Sequence, residues 1–276
     1  GRSGKDAAAL ARATAVLGDD APLRHAAILA KLSIAQASMA ADALAAADVL
    51  LAQEPLRFMH PLVRQAIEQD IPASERAGRH LDAARLLYAE GAGVERVAAH
   101  LLLGRAEGDP WVVERLRAAA REARVSAAPQ SAARYLERAL AEPPGRENRA
   151  ELLGELGAAE AALGLADAAG HLTEAIAETA DPRRRAELGL ELGRAHTARG
   201  EHAGAARAYE QGLYELEPES EGEADPEAGS VAGGGPDDLE LRDQLEAGLI
   251  AAVSMVPSLR SRTVAQASRW LSNVPE

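Results

Sequence analysis

The sequence predicts an all-α protein with a minor β contribution: a small mixed domain near the N-terminus, followed by a stack of helical hairpins. Three observations predict it. Alanine makes up roughly a quarter of the 276 residues and, with Leu, Glu and Arg, supplies the strongest helix formers. Aromatic residues are only 3% of the chain, too few to fill the core of a β-sandwich or barrel. The third is an internal repeat between residues 129 and 216, taken up below. The chain has no cysteine, hence no disulfide frame, thiol nucleophile or thiolate metal site. No apolar run approaches the ~18 residues of a membrane span, so a soluble, cytoplasmic protein is expected. The opening Gly1-Arg2-Ser3-Gly4-Lys5 lacks the apolar core of a signal peptide, and the missing Met suggests a fragment of a longer protein.

Residues 1–20 read as the tail end of a preceding helical or ATPase region. From 21 to 72 the pattern changes. Pro22 to Leu32 and Ala35 to Ala47 have helical periodicity, and Val49-Leu50-Leu51 and Leu56-Arg57-Phe58-Met59 are short β-like runs separated by Gln53-Glu54-Pro55. Pro61 then opens a helix with Leu62, Val63, Ala66 and Ile67 on its apolar side. Helix, helix, two-stranded wing, helix is a winged-helix layout. Residues 73–128 bridge to the repeats through helices from Ala73 to Gly91 and from Val94 to Leu103. There Leu81, Ala84, Leu87 and Tyr88 are expected to pack toward Val97, Leu101 and Leu102. Asp109-Pro110-Trp111 reads as a helix start, with Trp111 a packing anchor.

Residues 129–216 match themselves at an offset of 36. Arg149-Ala150-Glu151-Leu152 falls on Arg185-Ala186-Glu187-Leu188, Gly157 on Gly193 and Gly164 on Gly200; after a one-residue slip Leu172 falls on Tyr209. Each unit reads as helix, turn at Leu163-Gly164 or Arg199-Gly200, helix, with Pro143-Pro144 or Pro182 at the boundary. Small residues at Gly157, Ala161, Ala168 and Gly193 permit close helix approach. A single hairpin cannot bury its apolar stripe, and stacking several gives an α-solenoid with a groove. The spacing resembles the tetratricopeptide repeat, two residues longer and without its early Trp and Tyr.

Charge is unevenly placed. From Glu217 to Asp238 there are eight acids and no base, so the net −13 leaves only −5 for the rest of the chain. This segment is rich in Gly, Pro, Ser and Glu and reads as an acidic flexible loop over 217–238; further solenoid helices follow over 239–276, with periodicity at Leu241, Leu245 and Leu249. The segment 35–44, where a DNA-reading winged helix carries its basic side chains, has no Lys or Arg, and residues 21–60 balance to zero charge. Docking on protein is expected, with neither nucleic acid nor membrane as a partner.

Chemistry-bearing sets are sparse. Gly1 to Asp6 is two residues short of a phosphate-binding loop and places Asp6 where a hydroxyl must hold magnesium, so it is rejected. No Ser/His/Asp set, paired-carboxylate cleft or metal spacing is found, and Glu151 and Glu155 are placed on solvated helix faces. No catalytic residue and no metal site is expected, and the chain is not expected to be an enzyme. His25, His80 and His100 lie within amphipathic helices and read as structural. His60 differs, because it precedes Pro61 at a strand-to-helix junction. Helix N-termini present backbone N–H groups and a positive dipole end, so the imidazole and helix together can meet an anion such as a nucleotide phosphate. The alternative is a buried or capping histidine.

Leu56 to Ile67, Val97 to Leu102 and Gly108-Asp109-Pro110-Trp111-Val112-Val113, with Ala41-Asp42-Ala43-Leu44 before them, resemble the middle of actinobacterial LuxR-type large ATP-binding regulators, which are STAND-class signalling ATPases. The resemblance spans nearly the whole chain. It implies a sensor and relay segment whose parent protein carries the ATPase and the DNA-binding helix-turn-helix. ATP and ADP then belong to the parent, with no cofactor held by this chain alone. The implied partners are the parent's own ATPase domain and an unknown inducer or protein on the solenoid groove. By the same resemblance His60 stands beside the β-phosphate of ADP, and Arg64, one turn on, is a phosphate or salt-bridge candidate. The alternative is a stand-alone α-solenoid interaction scaffold without a nucleotide role.

Overall fold

A computed structural model describes residues 2–142, 145–217 and 236–256, which form thirteen α-helices. They fall into two compact units, residues 1–119 and 120–276, with the division inside the seventh helix. Pro143-Pro144, most of the acidic segment and residues 257–276, where the sequence predicts turn, loop and helix, lie outside the described residues.

The first unit is built on α1 (Arg2–Leu17), which packs against the second, third, fourth and fifth helices. Its Leu10, Ala13, Val16 and Leu17 are all but fully buried, so this helix is part of the core shared by residues 21–71. α2 (Leu23–Ala30) stops at Lys31, whose left-handed backbone (φ 58°) lets its N–H bond to the Ile28 carbonyl. After a 106° bend, α3 (Ile34–Ala46) begins with a reciprocal cap: Ser33 Oγ accepts from Gln36 N at 3.3 Å, and Gln36 Oε1 from Ser33 N at 3.1 Å.

The expected two-stranded wing is not formed as strands. The sequence predicts strands at Val49–Leu51 and Leu56–Met59, but the described residues contain only isolated antiparallel bridges, Leu50 to Phe58 and Ala21 to Leu56. Leu51 N donates to Arg57 O at 2.9 Å and Met59 N to Val49 O at 3.0 Å. Leu50, Leu56 and Phe58 are buried, and the runs are cut short between a positive-φ turn at Asp48 and Pro55, so pairing ends before a ladder can form. Arg57 clamps this corner bidentately, its Nη2 lying 2.8 and 2.9 Å from the Asp20 carboxylate oxygens.

Pro61 occupies the first position of α4 (Pro61–Asp70), and the buried Ile71 ends that helix. α5 (Ala73–Ala89) and α6 (Val94–Leu101) pack as an antiparallel pair joined through Gly91 (φ 73°). Leu87 faces the core as expected, but Tyr88 does not turn to α6. It is 47% exposed and meets Trp111 edge-on at 5.7 Å, at the start of α7 (Pro110–Val125). The Asp109 carboxylate accepts from Trp111 N at 2.9 Å and from Arg85 at 2.7 Å, fixing that start.

In the second unit α8 (Pro129–Ala141), α9 (Arg146–Ala162), α10 (Ala168–Glu178), α11 (Pro182–Ala198), α12 (His202–Glu215) and α13 (Pro236–Ser254) each pack on the next. In addition α9 touches α11 and α11 touches α13, so the first helices of successive hairpins lie side by side. The 36-residue offset carries α9 onto α11 end for end and Gly164 (φ 68°) onto Gly200 (φ 73°), where glycine meets the left-handed turn. α13 starts at Pro236, so Asp237 and Asp238 form its first turn, where acids complement the helix dipole.

Candidate functional site

His60 is exposed and occupies the N-cap position of α4, with extended backbone (φ −135°, ψ 132°) set by the following proline. Its side chain makes no cap hydrogen bond, so it is neither buried nor a capping histidine. The backbone carbonyl of His60 accepts from Val63 N at 3.0 Å, which fixes the direction of the helix axis from this residue onward. Leu62 beside it is 77% exposed.

Arg64 is engaged elsewhere. Its half-buried guanidinium donates to Ala15 O of α1 at 3.5 Å and to Glu68 Oε2 at 3.4 Å, so it runs along α4 away from the helix start. A cleft of about 510 Å³ follows, lined by Pro61, Arg64, Gln65, Glu68, Gln69 and Arg76. Arg76 closes its far end by donating to the carbonyls of Glu68 and Ile71, the last acceptors of α4. The structure therefore does not join the two sequence-derived site residues in one cluster: His60 heads α4, while Arg64 ties α4 to α1.

Behind this helix lies a group that sequence reading does not assemble. His80 of α5 and His100 of α6 are 2% and 8% exposed, and their Nδ1 atoms are 3.0 Å apart. His80 Nε2 is 3.5 Å from Glu68 Oε1. Burial lowers the pKa of both rings from the ordinary 6.5, that of His100 to about 4, with the other ring and Arg96 adding to the effect. The i to i+20 spacing of the two residues carries no local signal; only their places on the inward faces of adjacent helices suggest a meeting.

In the second unit a cleft of about 320 Å³ runs along the face shared by α9, α11 and α13. Leu188, Leu190 and Leu241 contribute its apolar surface, and Arg124, Glu155, Glu191, Arg194 and Gln244 its polar surface. Arg194 holds Glu191 and Gln244, each at 2.9 Å, and Arg184 holds Glu151 at 3.2 Å and Glu187 at 2.7 Å. Glu155 is not on a solvated face: its side chain is 13% exposed and lies 3.6 Å from Arg121. The reason is its place on the helix-to-helix groove, which a single-helix periodicity does not reveal. Among the described residues no group of three or more His, Asp or Glu side chains is arranged to hold a metal ion, and no single helix is long and apolar enough to cross a membrane.

No protein-family model, curated protein or solved structure matches the chain.

Proposed function

We propose that the chain is the sensor and relay segment of an ATP-dependent transcriptional regulator of the STAND class. In this reading a winged-helix-like unit contacts the parent's ATPase domain, and a tetratricopeptide-like array senses an inducer or protein partner. The observation that carries the reading is His60: an exposed imidazole at the N-cap of a ten-residue helix whose first turn has proline and no side-chain cap. A nucleotide phosphate placed there meets a donor from the ring and the positive end of the helix dipole. ADP would supply that phosphate charge, and His60 is the residue of this chain that would hold it. Arg64 supports the switch differently, by tying α4 to the Ala15 carbonyl of α1, so that movement of α4 is felt by the first helix.

The exposed face of α3 agrees with a protein-facing role, since Ser38, Met39, Asp42 and Ala43 offer no cation to a phosphate backbone. On the sensor side, the cleft over α9, α11 and α13 offers both charge signs on an apolar floor, which suits a ligand with several hydrogen-bonding groups. DNA binding and ATP turnover belong to the parent protein, in the cytoplasm.

The test is His60→Ala in the full-length parent. A lost hydrogen bond to a charged phosphate is worth about 1.5–3 kcal/mol, so ADP affinity should fall by about tenfold or more, with a rise in uninduced activity. Unchanged ADP retention would remove the nucleotide role and leave an interaction scaffold as the better account.

A further inference from the structure

We propose that His80 and His100 form a proton-operated latch that holds α6 against α5 and, through Glu68, holds α5 to α4. The inference does not depend on the nucleotide reading. It rests on a contact that tolerates only certain protonation states. Two Nδ1 atoms 3.0 Å apart share one hydrogen, so one ring must donate and the other accept. The arrangement that also suits Glu68 has His100 Nδ1–H donating to His80 Nδ1, with the His80 proton on Nε2, facing the carboxylate 3.5 Å away.

One proton taken from solvent leaves the contact intact. It settles on His100 Nε2, or equivalently gives a pair with N–H on both outer nitrogens and one hydrogen still between the Nδ1 atoms. Glu68 balances that charge. A second proton puts N–H against N–H across 3.0 Å and doubles the buried positive charge, so the rings must part. Burial opposes the charge on both rings; among the neighbours, Glu68 favours a charged His80 more than Arg76 opposes it, whereas the His80 ring and Arg96 both oppose a charge on His100. Arg76 on α5 and Arg96 on α6 face the pair as cations, and Glu68 on α4 is shared with Arg64. On the other elements packed here, Arg12 of α1 is taken by Asp70, and Arg24 and His25 of α2 face Glu90.

The direction with pH follows from burial. Both rings have lowered pKa values in the folded chain, whereas unfolded imidazoles bind protons near 6.5. The stabilisation is therefore fully present above 6.5 and is lost as the pH falls toward the folded value of about 4 for His100. Each ring that stays neutral while its unfolded counterpart charges lowers the folded-to-open ratio about tenfold per pH unit across that window.

Two measurements on the full chain test the latch. Imidazole ¹⁵N NMR at neutral pH should show one ring as an Nδ1–H donor and the other as an Nδ1 acceptor; two Nε2–H tautomers, or two rings titrating independently near 6.5, overturn it. Hydrogen exchange corrected for intrinsic rate should show protection across residues 80–101 falling about tenfold or more per pH unit, before residues 146–215 respond. His100→Asn keeps a donor where Nδ1 stood but cannot titrate, so its slope should be the shallower by about tenfold per pH unit. Equal slopes in the two proteins, or simultaneous loss in both units, overturn the proposal. Should His100→Asn fail to fold, the wild-type tautomers decide alone.

Discussion

Gly193 leaves no room for a methyl group. A Cβ at this position would lie 2.1 Å from Tyr209 Cε1, and one on Gly157, its counterpart one repeat earlier, would lie 2.6 Å from Leu172 Cγ. The large residue and the small one thus exchange volume across the same helix pair in both hairpins, Leu in one and Tyr in the next. Gly193→Ala is expected to cost about 1–3 kcal/mol through forced displacement of the buried Tyr209, seen as a lower urea midpoint for the second unit. Gly78 is the control. It lies within α5 with nothing within 4 Å of the place a methyl group would take, so Gly78→Ala should raise stability by about 0.5–1 kcal/mol through helix propensity alone. A loss at Gly78 comparable to that at Gly193 would mean that backbone effects, not packing, govern both sites.

At the scale of elements, some helices are started by a side-chain cap and others are not. Asp181 accepts from Arg183 N at 3.3 Å and Arg184 N at 3.2 Å at the head of α11, and Ser33 caps α3. Asp181→Ala and Ser33→Ala should each destabilise by about 1 kcal/mol, with hydrogen exchange rising first in the opening turn of the affected helix. An unchanged exchange rate there would show that neighbouring packing alone fixes the helix start. α4, begun by His60 and Pro61, lacks such a cap, as do α2 and α5. These starts differ in how well the sequence reveals them. Pro61 and Pro110 mark helix starts because proline fits the first position; Pro182, which reads as the close of a repeat unit, opens α11, and the 36-residue offset relates α9 to α11 without giving their bounds. The segment 49–59 is harder to read: alternation of Leu50, Leu56 and Phe58 signals burial, but whether it becomes a ladder or isolated bridges depends on tertiary limits at either end. The same holds for the candidate site. His60 is legible from its local position before a proline, whereas the His80–His100 contact and the Glu155–Arg121 pair arise only when separate helices pack.

Across the whole molecule, negative charge is concentrated in one connection whose ends the second unit already fixes. Arg242 Nη2 donates to Leu216 O at 3.1 Å and ties α13 to the end of α12, and Arg183 Nε donates to Asp238 Oδ1 at 2.7 Å and ties the start of α13 to α11. Tyr209 and Leu245, which share one buried cluster, add apolar contact between α12 and α13. Closing a connection costs about 0.6 kcal/mol for each doubling of its length, so the anchoring contacts must offset that entropy. Replacing residues 219–234 with four Gly and Ser residues shortens it by about a factor of three and should stabilise the second unit by about 1 kcal/mol. It also removes Glu219, Glu221, Glu223, Asp225 and Glu227 from a chain of net charge −13, so stability should respond less to added salt. Urea unfolding followed by far-UV circular dichroism, at low and high salt, measures both effects. A loss of helicity or a lower midpoint would show that the acidic residues contribute contacts to the fold, because neither loop entropy nor relief of like-charge repulsion can act in that direction.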